Sequence, residues 1–122
     1  MSLEIAIAGG GIGGLAAAGF LLRAGFDVTV YEQAAAMREG GAGVVMSPNA
    51  VRLLRRLGAL PRFLTRAVPI TRGWEFRRWK DGQVLSSEDM AWCQELYGER
   101  AYFIHRADLL DALLGCVPRA RI

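Results

Sequence analysis

Apolar and polar positions along the chain alternate between two periods, and the changes of period mark its elements. Residues 3–8 form an apolar run of strand length, with no charge after Glu4. Past a glycine cluster, Leu15, Ala18, Gly19 and Leu22 recur at helical spacing up to Arg23. Residues 27–31 are again strand-like and end at Glu32. Val51, Leu54 and Leu57 then form a helical stripe, with Arg52, Arg55 and Arg56 on the other side facing water or an anion. Ser47 stands where an N-cap belongs, Pro48 at the first helical position and Gly58 at the C-terminal stop. Pro61 and Pro69 punctuate the next stretch, which holds a short helix around Phe63. Residues 73–85 predict a β-hairpin, aromatic on its first strand and turning at Asp81-Gly82. Residues 86–100 are polar and fit neither period. A short strand at 102–104 precedes a helix over 107–114 that buries Leu110, Leu113 and Leu114 and stops at Gly115. Residues 118–122 read as the approach to a further strand.

The glycine cluster gives the first half its chemistry. Gly9, Gly10, Gly11, Gly13 and Gly14 lie between the first strand and the first helix, and Gly9, Gly11 and Gly14 match the spacing G-x-G-x-x-G. The first glycine of that pattern permits the tight turn out of the strand. The second lets backbone approach a pyrophosphate, and the third lets the helix pack closely. Unpaired amides at the helix start favour a phosphate. Glu32 follows Gly14 by 18 residues, near the roughly 20 expected of an acid that binds a ribose 2′-hydroxyl. Its charge disfavours a 2′-phosphate, so FAD or NAD remains. The order strand, glycine turn, helix, strand, acid predicts an α/β fold built on a Rossmann-like βαβ unit.

The uncharged stretch 5–22 is long enough to suggest a membrane span. Six of its residues are glycine, each costing about 1 kcal/mol against alanine inside a helix. A secretory signal would carry positive charge ahead of the apolar run, where this chain has Glu4. Neither reading is retained.

The 122 residues have the length of one ordinary domain, and 52% hydrophobic content suffices for a core. A net charge of +3 comes from arginines scattered through the chain, with no basic stripe or module for nucleic acid. Two cysteines, Cys93 and Cys116, and the absence of a signal peptide point to a reducing compartment, the cytoplasm. With a single histidine, His105, no metal cluster of spaced Cys and His ligands is expected. His105 reads as a structural residue, Cys93 as a small buried hydrophobe, and Trp74, Trp79 and Trp92 as core or interface. Arg106, on its own, reads as a surface arginine or a partner of Asp108 or Asp111.

Three stretches together resemble the FAD-dependent aromatic-ring monooxygenases of the single-component (group A), salicylate-hydroxylase-like type. They are the glycine unit through Tyr31-Glu32-Gln33, the segment REGGAGVVMSPNAVRLLRRLG from Arg38, and His105-Arg106-Ala107-Asp108-Leu109. The resemblance implies FAD as cofactor, with NAD(P)H as a transient co-substrate that reduces it and O2 as the oxidant that hydroxylates a small aromatic substrate. It implies that Gly9, Gly10, Gly11, Ile12, Gly13 and Gly14 hold the pyrophosphate, that Glu32 meets the adenosine ribose, and that Gln33 is also a cofactor-binding residue. Arg38 and Gly41, Ala42 and Gly43 would lie along the cofactor, and Arg106 would contact it from the second strand–helix junction. The hairpin, within about 70–104, would begin the sheet of a substrate domain. Members of this group are several times longer, and two later cofactor motifs have no counterpart in these residues. The chain is therefore expected to be an incomplete, N-terminal part of an FAD-binding domain, exposing apolar sheet surface and needing the remainder or a partner chain for turnover. A non-hydroxylating FAD oxidoreductase and a non-catalytic nucleotide-binding module are the alternatives.

Overall fold

In the computed structural model, which describes residues 3–34 and 41–122, the first unit forms as its pattern requires. Strand β1 (Glu4–Ala8) and strand β2 (Asp27–Tyr31) pair in parallel, Glu4 opposite Asp27 and Ala8 opposite Tyr31. Helix α1 (Ile12–Arg23) makes the crossover. It starts three residues before the apolar period becomes legible, because Ile12, Gly13 and Gly14 carry little periodic signal. Leu15, Ala18 and Gly19 are its buried residues, and Val28 and Val30 of β2 are buried with them.

Helix α2 (Pro48–Leu57) buries Pro48, Val51, Leu54 and Leu57 and ends at Gly58 in the left-handed conformation. It meets α1 closely: a Cβ at Gly19 would stand 2.8 Å from a methyl of Leu57, so the leucine side chain would have to shift. Arg23 closes the same junction by donating to the Leu57 carbonyl at the end of α2. Ser47 occupies the N-cap position with extended backbone, yet its hydroxyl does not cap the helix. It donates to the side-chain oxygen of Asn49. Short helix α3 (Leu60–Leu64) turns the fully buried Phe63 into the core, edge-on to Tyr102 at 5.5 Å.

A strand the periodicity does not reveal, β3 (Gly43–Met46), lies just ahead of α2. Four residues are too few for alternation to be read, and the strand exists through its partner. That partner is β7 (Tyr102–His105), which pairs antiparallel with β3 and, on its other side, with β4 (Val68–Pro69). Hairpin strands β5 (Gly73–Arg77) and β6 (Val84–Asp89) form a separate two-stranded sheet with a bulge at Phe76/Arg77. The second strand thus runs four residues past the predicted return, through sequence too polar to announce it. Helix α4 (Cys93–Tyr97) follows and buries Cys93. Glu99, just beyond, is 5% exposed and bonded to the Arg55 guanidinium of α2. That pairing is needed, because a buried carboxylate without a partner is costly.

Helix α5 (Arg106–Leu114) packs against α1 and α3 and buries Leu109, Leu110, Ala112 and Leu113, with Leu114 only half-buried. Residues 119–121 form a 3-10 turn in place of the expected strand approach. Pro118 has no amide to give a ladder, and Arg121 is tied to Asp27 at the start of β2. Asp111 pairs with Arg62, not with Arg106. One apolar core runs through both helical and sheet elements. The hairpin stays outside it: Phe76, Leu85 and Trp79 are 66%, 60% and 94% exposed, and Trp74 reaches the body by an edge contact with Phe103 at 5.9 Å. None of the three tryptophans belongs to the buried core; Trp92 lies half-buried beside Tyr97. On the β1–β2 sheet, Ile5 and Ile7 face the core while Ala6, Ala8 and Tyr31 face outward, so one sheet face is uncovered as expected.

Candidate functional site

The parallel ladder between β1 and β2 continues one step into the glycine turn, and that step builds the site. The Gly9 amide donates to the Tyr31 carbonyl at 2.8 Å. At the next position the acceptor changes from backbone to side chain: the Gly10 amide donates to Glu32 Oε2 at 2.7 Å. Glu32 Oε1 accepts from the Ala34 amide at 2.9 Å. One carboxylate therefore joins the turn after β1 to the turn after β2.

The turn itself is shaped by two glycines in contact. Gly9 has φ +104, a region that side-chain-bearing residues avoid. A Cβ on Gly14 would stand 1.9 Å from the Gly9 carbonyl oxygen, so only glycine lets α1 begin this close to the turn. Gly11 and Gly13 differ, having nothing within 4 Å of where a Cβ would be. Gly11 is the N-cap of α1, and neither a side-chain cap nor an acidic first-turn residue answers the helix amides. The open space, the uncapped amides and the helix dipole together suit an anion.

A second junction brings the cation. The Gly43–His105 pair closes the β3–β7 ladder, and Arg106 extends it by donating its amide to the Ala42 carbonyl at 2.9 Å. His105 caps α5, its Nδ1 accepting from the Ala107 amide at 3.3 Å. Helix α5 then carries Arg106, with Leu110 one turn on, to the mouth of the glycine turn. The result is a cleft of about 460 Å3 lined by Gly10, Gly11, Glu32, Gln33, Ala34, Arg106 and Leu110.

Of the residues singled out from sequence, Gly10, Gly11, Glu32, Gln33 and Arg106 thus converge. Gly9 and Gly14 shape the turn from behind, Ile12 packs toward the core, and Gly13 is exposed. Gly41, Ala42 and Gly43 do not line the cleft but join it through the Ala42–Arg106 bond. Arg38 lies outside the described residues. Sequence reading missed Ala34 and Leu110. Leu110 was legible as a helix position four residues after Arg106; Ala34 contributes an amide, and a backbone donor has no sequence signal.

The amides of Ala34 and then Gly10, with Gln33, hold the Glu32 carboxyl below its ordinary value of 4.5, against a smaller opposing effect of burial. A depressed carboxylate stabilises the fold above its unfolded value and loses that contribution as pH falls through the lowered folded value. Thermal unfolding should therefore be steady near neutrality and weaken on acidification below about pH 4.5. In Glu32→Gln, this part of the acid dependence should be missing.

The chain matches the model of the FAD binding domain over residues 2–112. It belongs to that family. Among curated proteins, this FAD-binding domain is 49% identical to a 3-amino-4-hydroxybenzoate 2-monooxygenase of Streptomyces platensis, over 94% of the chain and 29% of that protein. It is 36% identical to a 6-hydroxynicotinate 3-monooxygenase of Pseudomonas fluorescens, over 96% of the chain and 30% of the relative. Klebsiella pneumoniae HpxO complexed with FAD and uric acid superposes with a TM-score of 0.81 at 27% identity, covering 98% of the chain and 30% of the larger protein. A 2-methyl-3-hydroxypyridine-5-carboxylic acid oxygenase superposes with a TM-score of 0.75 at 31% identity. The domain spans about 30% of the length of the relatives it matches. Among its described residues, no helix is long and apolar enough to cross a membrane.

The cleft fits the adenosine diphosphate half of FAD on chemical grounds. Uncapped amides suit a pyrophosphate, and a carboxylate whose oxygens each keep a free lone pair suits ribose hydroxyls. A guanidinium completes the set.

Proposed function

We propose that this FAD-binding domain is the dinucleotide-holding part of a flavin-dependent monooxygenase that hydroxylates an activated aromatic ring, consuming NAD(P)H and O2. The observation that carries the reading is the convergence of an uncapped helix N-terminus, a carboxylate and a guanidinium on one cleft. Those are the groups a pyrophosphate flanked by ribose requires. In this reading the turn from Gly9 to Gly14 and the start of α1 receive the pyrophosphate, and Glu32 and Gln33 meet the adenosine ribose. Arg106 neutralises phosphate charge, while Arg38 and the Gly41, Ala42, Gly43 segment run along the cofactor toward its flavin. FAD held there would supply the redox chemistry, with NAD(P)H as the two-electron reductant and O2 as the source of the oxygen atom inserted into the ring, its other atom leaving as water. The chain's own part is to bind and orient.

The relatives named above act on hydroxy- or amino-substituted aromatic and N-heteroaromatic acids. A small substrate of that class is the proposed one. The hairpin within about 70–104 begins the sheet of a substrate domain, the face that carries Trp74 and Phe76 being covered by the rest of that domain. That remainder, or a partner chain, supplies the rest of the ring pocket.

Incubation with FAD followed by desalting tests the cofactor assignment. The chain is expected to retain flavin absorption bands, and a colourless protein would count against the cleft as a self-sufficient site. Hydroxylation is tested on a chain of the relatives' full length, given 3-amino-4-hydroxybenzoate or 6-hydroxynicotinate. NAD(P)H oxidation that yields no hydroxylated product would make it a non-hydroxylating oxidoreductase.

A further inference from the structure

Glu32 has a second task that its geometry, not its sequence position, discloses. A carboxylate beside a phosphate site is unfavourable by charge alone, since like charges repel. Yet Glu32 sits with one oxygen on the amide of Gly10, within the turn that faces the cleft. Gly10 is buried, so its amide needs an acceptor or leaves an unpaired donor. The turn is also the segment with the most conformational freedom to lose, having five glycines within six residues. An acceptor fixed at one end by Ala34 and offered to Gly10 at the other removes much of that freedom before a ligand arrives.

We propose that Glu32 is a positioning residue for the phosphate subsite. By holding the Gly10 amide it locks the glycine turn, so that the amides at the start of α1 stand ready for an anion. The inference rests on the FAD reading but assigns Glu32 an effect on a part of the ligand it does not touch. Glutamine cannot replace it, because its single carbonyl oxygen can serve Gly10 or Ala34 at the separate positions of the two oxygens, but not both, and its amide nitrogen only donates.

Inorganic pyrophosphate, which has no ribose, provides the test. By calorimetric titration of the full chain, Glu32→Gln should bind pyrophosphate roughly tenfold more weakly than wild type, the order expected for losing a hydrogen bond to a charged group. If Glu32 served only the ribose, removing its negative charge would leave pyrophosphate binding unchanged or tighten it. Equal or tighter binding by a folded Glu32→Gln therefore overturns the positioning role while leaving the cofactor assignment intact. A wild-type chain that binds neither FAD nor pyrophosphate overturns both. Should the variant fail to fold, wild-type hydrogen exchange decides: the Gly10 and Ala34 amides must be protected in the cofactor-free chain, and fast exchange at Gly10 overturns the proposal.

Discussion

Gly14→Ala should lower the unfolding temperature by roughly 12 °C, at about 4 °C per kcal/mol for a domain of this size. The added methyl would stand 1.9 Å from the Gly9 carbonyl oxygen, with the Gly9 carbonyl carbon at 3.1 Å. Both are backbone atoms, so no rotamer change relieves the overlap. The turn or the whole of α1 must shift, and overpacking of this kind costs about 3 kcal/mol. A shift of Gly9 also carries Gly10 away from Glu32, so flavin retention should fall together with stability. Gly13→Ala is the matched control. It adds the same methyl one residue earlier on the same helix, where nothing lies within 4 Å. Helix propensity then favours the substitution by about 1 kcal/mol. Equal unfolding temperatures for Gly14→Ala and wild type would mean that the helix does not begin this close to the turn.

Gly73→Ala should be as damaging locally and harmless to the cleft. A Cβ there would lie 1.8 Å from the Glu88 carbonyl oxygen, and the residue's φ of +148 is itself strained for alanine. Strain and overlap together cost about 3 kcal/mol at the base of the hairpin, about a 150-fold change in its opening equilibrium. An isolated two-stranded hairpin is only marginally stable, so amide protection along Gly73–Arg77 and Val84–Asp89 should be lost. Those strands form a separate sheet, however, and line no part of the cleft around Gly10 and Arg106. Flavin retention by Gly73→Ala should match wild type. If both glycine variants lose flavin equally, the hairpin and the cofactor cleft form one cooperative unit.

The two glycines also mark how far the sequence could be read. Gly14 is legible because its role is local: strand, turn and helix follow one another within 20 residues, and the spacing of Gly9, Gly11 and Gly14 encodes their contact. The same holds for the stripe of α2 and for the hairpin's turn at Asp81-Gly82. Resemblance added Arg106, which composition and periodicity leave as an ordinary surface arginine. Gly73 was legible only as the first residue of a hairpin, since the obstacle to a side chain there is the backbone of Glu88 on the opposite strand.

What the sequence determined by itself is the βαβ unit, the helices other than α4, whose residues fit neither period, and the acid at the end of β2, because each depends on residues close along the chain. Tertiary structure alone decided the rest. Strand β3 exists because β7, nearly 60 residues later, offers it a ladder. Arg106 enters the cleft because that ladder and the packing of α5 on α1 carry it there. Glu32 was expected to meet only a ribose, yet it holds Gly10, since parallel pairing brings the ends of β1 and β2 to the same level. Contacts between distant segments depend on register and packing, and a periodic pattern records which face is buried without naming what it is buried against.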